Sequence, residues 1–284
     1  MPEYEGLIPA VFTPMKENGS INTDMIKQIV EYLIEKEVSG VYVCGTTGEG
    51  ASLTTEERCE VVRAYTESVS GRIKVIVQVG HNSLFEAKNM ARYAMDVGAD
   101  AIAAVPPEYF KPRTVENLVD CMCMITEGLK NMPFFYYHIP TLTGVNFDMV
   151  DFLKVGGQKI NGFAGIKYSS TTIYEFQACR EYENGKYTIL FGCDEMLLSA
   201  LAVGAVGAVG STYNFAAPLY KKIINAYKEG RKEDACKYQS LSVNLVRLLY
   251  RHDNTVQPAL KGLMKLIGLD CGPNRLPLIS MNPE

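Results

Sequence analysis

Eight short apolar runs, the amphipathic segments between them and a change of character after Gly210 predict an α/β fold, a (β/α)8 TIM barrel with a C-terminal helical extension. The runs cover 7–12, 40–44, 74–79, 101–105, 134–139, 163–167, 188–191 and 206–210, and they are rich in β-branched and apolar residues. Each has the length of a buried strand. Strand alternating with helix requires parallel pairing and right-handed crossovers. Eight such units favour closure, and an open doubly wound sheet is the alternative.

Taken in order, the first run leads past Thr13 to a helix whose apolar face is read as Met25, Ile29, Tyr32 and Leu33. The second run opens into Gly45-Thr46-Thr47-Gly48-Glu49. Thr54-Thr55-Glu56-Glu57 then has the form of a helix start, a capping hydroxyl followed by acids in the first turn. After the third run, Asn82-Ser83 precedes a helix over 84–97 that ends at Gly98, suited to a left-handed cap. The fourth run precedes a helix with the face Leu118, Met122, Ile125 and Leu129. The fifth contains Tyr136-Tyr137, and strand alternation sends one of the two tyrosines inward. The sixth ends on Lys167 and the seventh leads into Gly192, Asp194 and Glu195.

The eighth run lies among Gly204, Gly207 and Gly210, spaced G-x-x-G-x-x-G. That is not the dinucleotide fingerprint, and close packing of the barrel wall explains it better. From 217 to 267 the pattern is mostly helical, with a break before Pro258. The barrel is expected over 1–225 and the helical extension over 226–284, together one structural domain.

The net charge of −4 and the scatter of Lys and Arg leave no clustered basic face, which excludes nucleic acid and an acidic membrane surface as partners. No apolar run reaches the ~18 residues of a membrane span, and no basic-then-apolar leader precedes the first strand. The eight cysteines form no compact framework in so long a chain, so reduced thiols and a cytoplasmic location are expected. Cys121 and Cys123 would lie on different faces of a helix, which is unfavourable for a metal.

In a barrel, reactive groups gather at the C-terminal ends of the strands. A lysine that ends a buried strand, as Lys167 does, loses hydration, its pKa falls, and the neutral amine can condense with a ketone to an iminium, an electron sink for carbon–carbon cleavage. A lysine paired to a carboxylate, or one opening a surface loop, is the alternative. Tyr137, if inward, can move protons beside it, or it is an ordinary core tyrosine. His138 is read as structural. The glycines, hydroxyls and successive N–H groups around Thr46 and Thr47 suit a carboxylate, although a tight turn would have the same composition. The GK[ST] ending of a phosphate loop is absent.

Six segments in sequence carry a resemblance: GTTGEG at 45–50, PPEYFKP at 106–112, YHIPTLTGV at 137–145, GIKYSS at 165–170, GCDEML at 192–197 and GSTYN at 210–214. Together, over nearly the whole chain, they resemble the N-acetylneuraminate lyase and dihydrodipicolinate synthase family of lysine-dependent class I aldolases. The resemblance implies that Lys167 forms the Schiff base and that Tyr137 transfers protons. It implies that Thr46 and Thr47 hold the keto-acid carboxylate, while Ser169, Gly192, Asp194, Glu195 and Ser211 line the sugar end. Tyr109 resembles the family's aromatic residue near a subunit interface, and a homotetramer is implied. No cofactor and no metal are implied, because the covalent adduct on Lys167 supplies the electron sink.

Within the family, synthases that join pyruvate to aspartate semialdehyde typically carry an arginine where this chain has Leu142, and leucine cannot form the bidentate fork. Asp194 and Glu195 instead supply acceptors for a polyhydroxyl chain. The expected reaction is reversible cleavage of N-acetylneuraminate to N-acetyl-D-mannosamine and pyruvate. The alternatives are a 2-keto-3-deoxy sugar acid aldolase, a dihydrodipicolinate synthase, and a pyruvate-binding sensor on the same barrel. A phosphosugar enzyme is disfavoured, since its phosphate site would meet Asp194 and Glu195 after the seventh strand.

Overall fold

The computed structural model describes residues 4–251 and 256–280. Residues 1–3 of the expected barrel, and 252–255 and 281–284 of the expected extension, lie outside the described residues. Eight parallel strands form one sheet in the order β1-β8-β7-β6-β5-β4-β3-β2. They are β1 Gly6–Pro9, β2 Gly40–Val43, β3 Lys74–Gln78, β4 Ala101–Ala104, β5 Phe134–His138, β6 Phe163–Tyr168, β7 Thr188–Phe191 and β8 Gly207–Gly210. A single parallel bridge from Ala10 to Tyr42 joins the two edge strands, with Val11 N–H donating to the Tyr42 carbonyl at 3.0 Å. The first strand is therefore shorter than the 7–12 expected, and Ala10 beyond it serves as the closing bridge.

The helices are α1 Thr23–Glu35, α2 Thr55–Val69, α3 Leu84–Asp96, α4 Val115–Thr126, α5 Pro140–Thr143, α6 Met149–Lys159, α7 Ile173–Glu181, α8 Leu197–Ala202, α9 Tyr213–Lys228, α10 Lys232–Leu249 and α11 Gln257–Leu266. The Thr54 capping box is present, with Thr54 accepting from Glu57 N–H and Glu57 accepting from Thr54 N–H. Ser83 caps α3. Asn82 instead accepts from the N–H groups of Glu108 and Tyr109, pinning the loop after β4. On α1 the buried face is Ile26, Ile29, Val30 and Leu33, while Met25 and Tyr32 only flank it. Burying side chains of this kind contributes ~1.5–3 kcal/mol each.

Two cores result. Tyr4, Ile8, Tyr42, Ile76, Phe135, Tyr137, Leu190 and Val209 fill the barrel, and a larger cluster fills the layer between strands and helices. α9 is the eighth barrel helix and runs to Lys228, so the division expected at 225/226 falls inside it. α10 packs on α9 and on the turn that follows β7, and α11 contacts α9. Among the described residues, no helix is long and apolar enough to cross a membrane.

Candidate active site

The position of Lys167 depends on an irregularity in β6. Ala164 faces the barrel core, so strict alternation would turn Ile166 inward and Lys167 out toward the helices. The pairing with β5 breaks that alternation: Phe134 lies opposite Phe163, but Phe135 lies opposite Gly165, which leaves Ala164 as an extra residue. A one-residue bulge of this kind exchanges the two faces of the strand beyond it. Ile166 accordingly joins the outer core and Lys167 turns into the barrel. Gly165 makes the bulge possible, since its φ is +154° and a Cβ there would overlap the Thr188 carbonyl.

Lys167 is 3% exposed. Its Nζ lies 3.6 Å from the ring centroid of Tyr137 and 3.9 Å from that of Tyr42, two rings set edge to face at 5.7 Å. Tyr137 is also the register partner of Lys167 across β5 and β6. Desolvation lowers the Lys167 pKa from the ordinary lysine value, with Tyr137, Asp194 and Cys193 opposing it. The two ring faces favour the ammonium form in the same opposing sense. Burial is the largest of these effects, so the balance moves toward a free amine.

Around this amine lies a cavity of about 450 Å³ at the C-terminal ends of the strands. On one side, the loop after β2 presents Thr46 and Thr47, and the Tyr137 hydroxyl lies 3.4 Å from Thr46 Oγ1. The loop is held by Thr13, which donates to the Gly48 carbonyl at 2.6 Å, and by Glu49 N–H, which donates to the Thr46 carbonyl at 3.1 Å. The far side is formed by Ser169, Gly192, Asp194, Glu195 and Ser211. Ser169 N–H donates to the His138 carbonyl and Gly192 N–H to the Tyr168 carbonyl, both at 2.8 Å, which fixes the ends of β5, β6 and β7 side by side.

Asp194 is buried, and its Oδ2 accepts from Thr212 N–H at 2.8 Å and from Thr212 Oγ1 at 2.5 Å. Burial pushes its carboxyl up to about 6, with the Thr212 hydrogen bonds opposing the rise. The carboxylate lies against Gly210, where any side chain would overlap Oδ1. That contact is the packing reason for a glycine at the end of β8.

The nine residues expected to bind or transform substrate therefore border one cavity. Tyr109 does not: it stands 81% exposed beside Phe110 on the loop between β4 and α4. His138 points to the helix layer between the rings of Tyr136 and Tyr168, and burial lowers its pKa to about 4, so it is neutral and remote from the cavity. Cys121 and Cys123 sit half-buried on α4, and among the described residues no cluster of His, Cys, Asp or Glu could hold a metal ion.

Residues beneath the lysine and along the rim of the cavity escaped the sequence. Tyr42 lies under the lysine, and alternation along β2 could have found it. Val246, Leu249, Val256 and Gln257 close the cavity from α10 and the start of α11, and on the sequence they read as ordinary helix-packing positions.

The chain and its fold are similar to those of known proteins. The chain is 37% identical over 279 residues to N-acetylneuraminate lyase A of Xenopus laevis, which covers 97% of this chain and 91% of that one. The solved structure of the Proteus mirabilis N-acetylneuraminate lyase superposes with a TM-score of 0.95 at 36% identity, covering 98% of this chain and 94% of that one. A dihydrodipicolinate synthase of Bacillus anthracis superposes with a TM-score of 0.92 at 28% identity, over 100% and 95% of the two chains. Residues 3–284 match the family model of the dihydrodipicolinate synthetases, and the chain belongs to the dihydrodipicolinate synthetase family.

Proposed function

We propose that this chain is a Schiff-base-forming class I aldolase that reversibly cleaves N-acetylneuraminate to N-acetyl-D-mannosamine and pyruvate. The observation that carries the reading is the buried Lys167 amine, set over Tyr137 between a loop of donors at Thr46 and Thr47 and the carboxylates of Asp194 and Glu195. Leu142 borders the same cavity in the place where a synthase would need a cationic fork. The similarity to curated N-acetylneuraminate lyases supports the same substrate.

The open-chain substrate presents a C2 ketone beside its C1 carboxylate. The carboxylate seats on Thr46, Thr47 and the neighbouring N–H groups, which brings the ketone to Lys167. The amine adds to C2 and water leaves, giving an iminium. Removal of the C4 hydroxyl proton breaks the C3–C4 bond, and the electron pair moves into the iminium as an enamine. N-acetyl-D-mannosamine departs with its new aldehyde, C3 takes a proton, and water hydrolyses the pyruvate iminium. Tyr137 carries the protons. Ser169, Gly192, Asp194, Glu195 and Ser211 receive the sugar. The iminium itself is the electron sink, so the chemistry needs neither cofactor nor metal.

The exposed pair Tyr109 and Phe110 supports self-association, for which we propose a homotetramer. Eight unpaired thiols support a reducing compartment, the cytoplasm. Assay of N-acetylneuraminate against 2-keto-3-deoxygluconate, and of pyruvate condensation with aspartate semialdehyde, tests the substrate. The highest kcat/KM is expected for N-acetylneuraminate, and a higher value for either other substrate overturns the assignment.

A further inference from the structure

Both ends of the cavity are tied to the C-terminal extension by buried and half-buried polar contacts that lie behind its walls. At the acid end, Glu49 follows Thr46 and Thr47 in the same loop, and its side chain is fully buried. Its carboxylate accepts from Lys261 Nζ of α11 at 2.7 Å, from Asn274 Nδ2 at 2.9 Å and from Arg275 N–H at 3.0 Å. Lys261 also donates to the Pro273 carbonyl at 2.7 Å, and the Arg275 guanidinium reaches Glu57, the Ser52 carbonyl and the Gly19 carbonyl. Glu49 is itself left-handed, with φ +54°, and its N–H closes the turn on Thr46. Displacing this carboxylate displaces both threonines.

At the sugar end, Gln239 of α10 holds the turn after β7 from both sides. Its Nε2 donates to the Glu195 carbonyl at 2.8 Å, and its Oε1 accepts from Leu198 N–H at 2.7 Å. Three residues on, Ser242 donates to the Asp194 carbonyl at 3.2 Å. Ser242 Oγ also lies 2.9 Å from the Tyr220 hydroxyl, which lies 2.6 Å from Thr212 Oγ1, the donor to Asp194.

We infer that the extension positions the two ends of the substrate site separately. Glu49, anchored by Lys261 and Asn274, sets the carboxylate loop. Gln239 and Ser242 set the turn that carries Asp194 and Glu195. A buried ion pair adds little net stability over an apolar pair, and its best-attested use is to select one geometry. Placed directly behind Thr46 and Thr47, that geometry is the one that receives pyruvate. These are positioning residues, since none of them touches the substrate. The inference rests on the aldolase reading above, because it needs pyruvate at one end and the amino sugar at the other.

Steady-state condensation of pyruvate with N-acetyl-D-mannosamine, varying each in turn, separates the two ends. Glu49→Gln and Asn274→Ala are expected to raise KM for pyruvate by about 3- to 10-fold, the size of one lost hydrogen bond, and to leave KM for N-acetyl-D-mannosamine within about twofold. Gln239→Leu and Ser242→Ala are expected to do the reverse. Residues that served stability alone would lower the active fraction, and with it kcat, without moving either KM. That result overturns the inference, as does a rise of both constants together in any one variant. If Glu49→Gln fails to fold, Asn274→Ala, which keeps the ion pair, decides the acid end. The wild-type enzyme reports on the underlying reading: no condensation at all removes that reading, whereas normal condensation with unsplit constants removes this inference alone.

Discussion

The acid end and the sugar end of the cavity are built from opposite materials. At the acid end the chain offers donors, Thr46, Thr47 and the N–H groups of a tight loop, beside the Tyr137 hydroxyl. At the sugar end it offers acceptors, Asp194 and Glu195, with the hydroxyls of Ser169 and Ser211. A donor set receives an anion, and an acceptor set receives hydroxyl groups and repels a second carboxylate or a phosphate. Under the proposed function, the asymmetry would orient a keto acid with its carboxylate toward β2 and its polyhydroxyl chain toward β7 and β8. That orientation would leave the ketone beside Lys167, between the two ends.

The largest effect comes from removing that midpoint. Lys167→Ala is expected to abolish turnover while both ends keep their form, and measurable cleavage of N-acetylneuraminate would contradict its role. Nearly as large is the effect of Gly165→Ala. The added methyl overlaps the Thr188 carbonyl, so the bulge that turns Lys167 inward cannot persist. Loss of at least about 2 kcal/mol of stability is expected, together with most of the activity. Chemical denaturation and activity assays check the two, and a fully active, equally stable variant would show that the bulge is dispensable.

The bulge also marks how far the sequence can be read. The alternation of runs and amphipathic segments was enough for eight strands, their helices and a lysine at a strand end. Simple alternation from Ala164, however, sends Lys167 to the wrong face, and only the register with β5 reveals the correction. On α1 the helical period was legible, but the centre of its buried face lay one position away, at Ile26 and Val30. The motifs named the residues at both ends of the cavity. They were silent on Glu49 with Lys261 and on Gln239 with Glu195, because such pairs are distant in sequence and follow no period.

Smaller perturbations sharpen the contrast between the ends. Tyr137→Phe removes the hydroxyl that faces Thr46 and is expected to lower kcat by about 10²–10⁴-fold, the size of one positioned proton carrier, with a lesser change in KM. An unchanged kcat would take Tyr137 out of the chemistry. Asp194→Asn acts mainly at the sugar end and is expected to raise KM for N-acetyl-D-mannosamine by about 10-fold, the size of a hydrogen bond to a charged group, with a much smaller change in KM for pyruvate.

The same aspartate gives the smallest and most specific signature. Burial holds its folded pKa at about 6, above the ordinary 3.8. Its contribution to stability is thus fully present below the ordinary value and is lost as pH rises through the folded one. The stability difference between the wild type and Asp194→Asn should change sign-consistently across that window, with the wild type losing ground toward neutral pH. KM for N-acetyl-D-mannosamine should rise in the wild type as pH falls below about 6, where Asp194 is protonated, and stay level in the variant. Parallel profiles would place the titration elsewhere.

The most direct measurement is borohydride reduction of the intact enzyme in the presence of pyruvate, followed by mass mapping of its peptides. The expected result is a single reduced adduct on the peptide that contains Lys167, formed in the wild type and absent from Lys167→Ala. An adduct on a different lysine, or none at all while the enzyme still turns over, would contradict the assignment of Lys167 as the amine that captures the ketone.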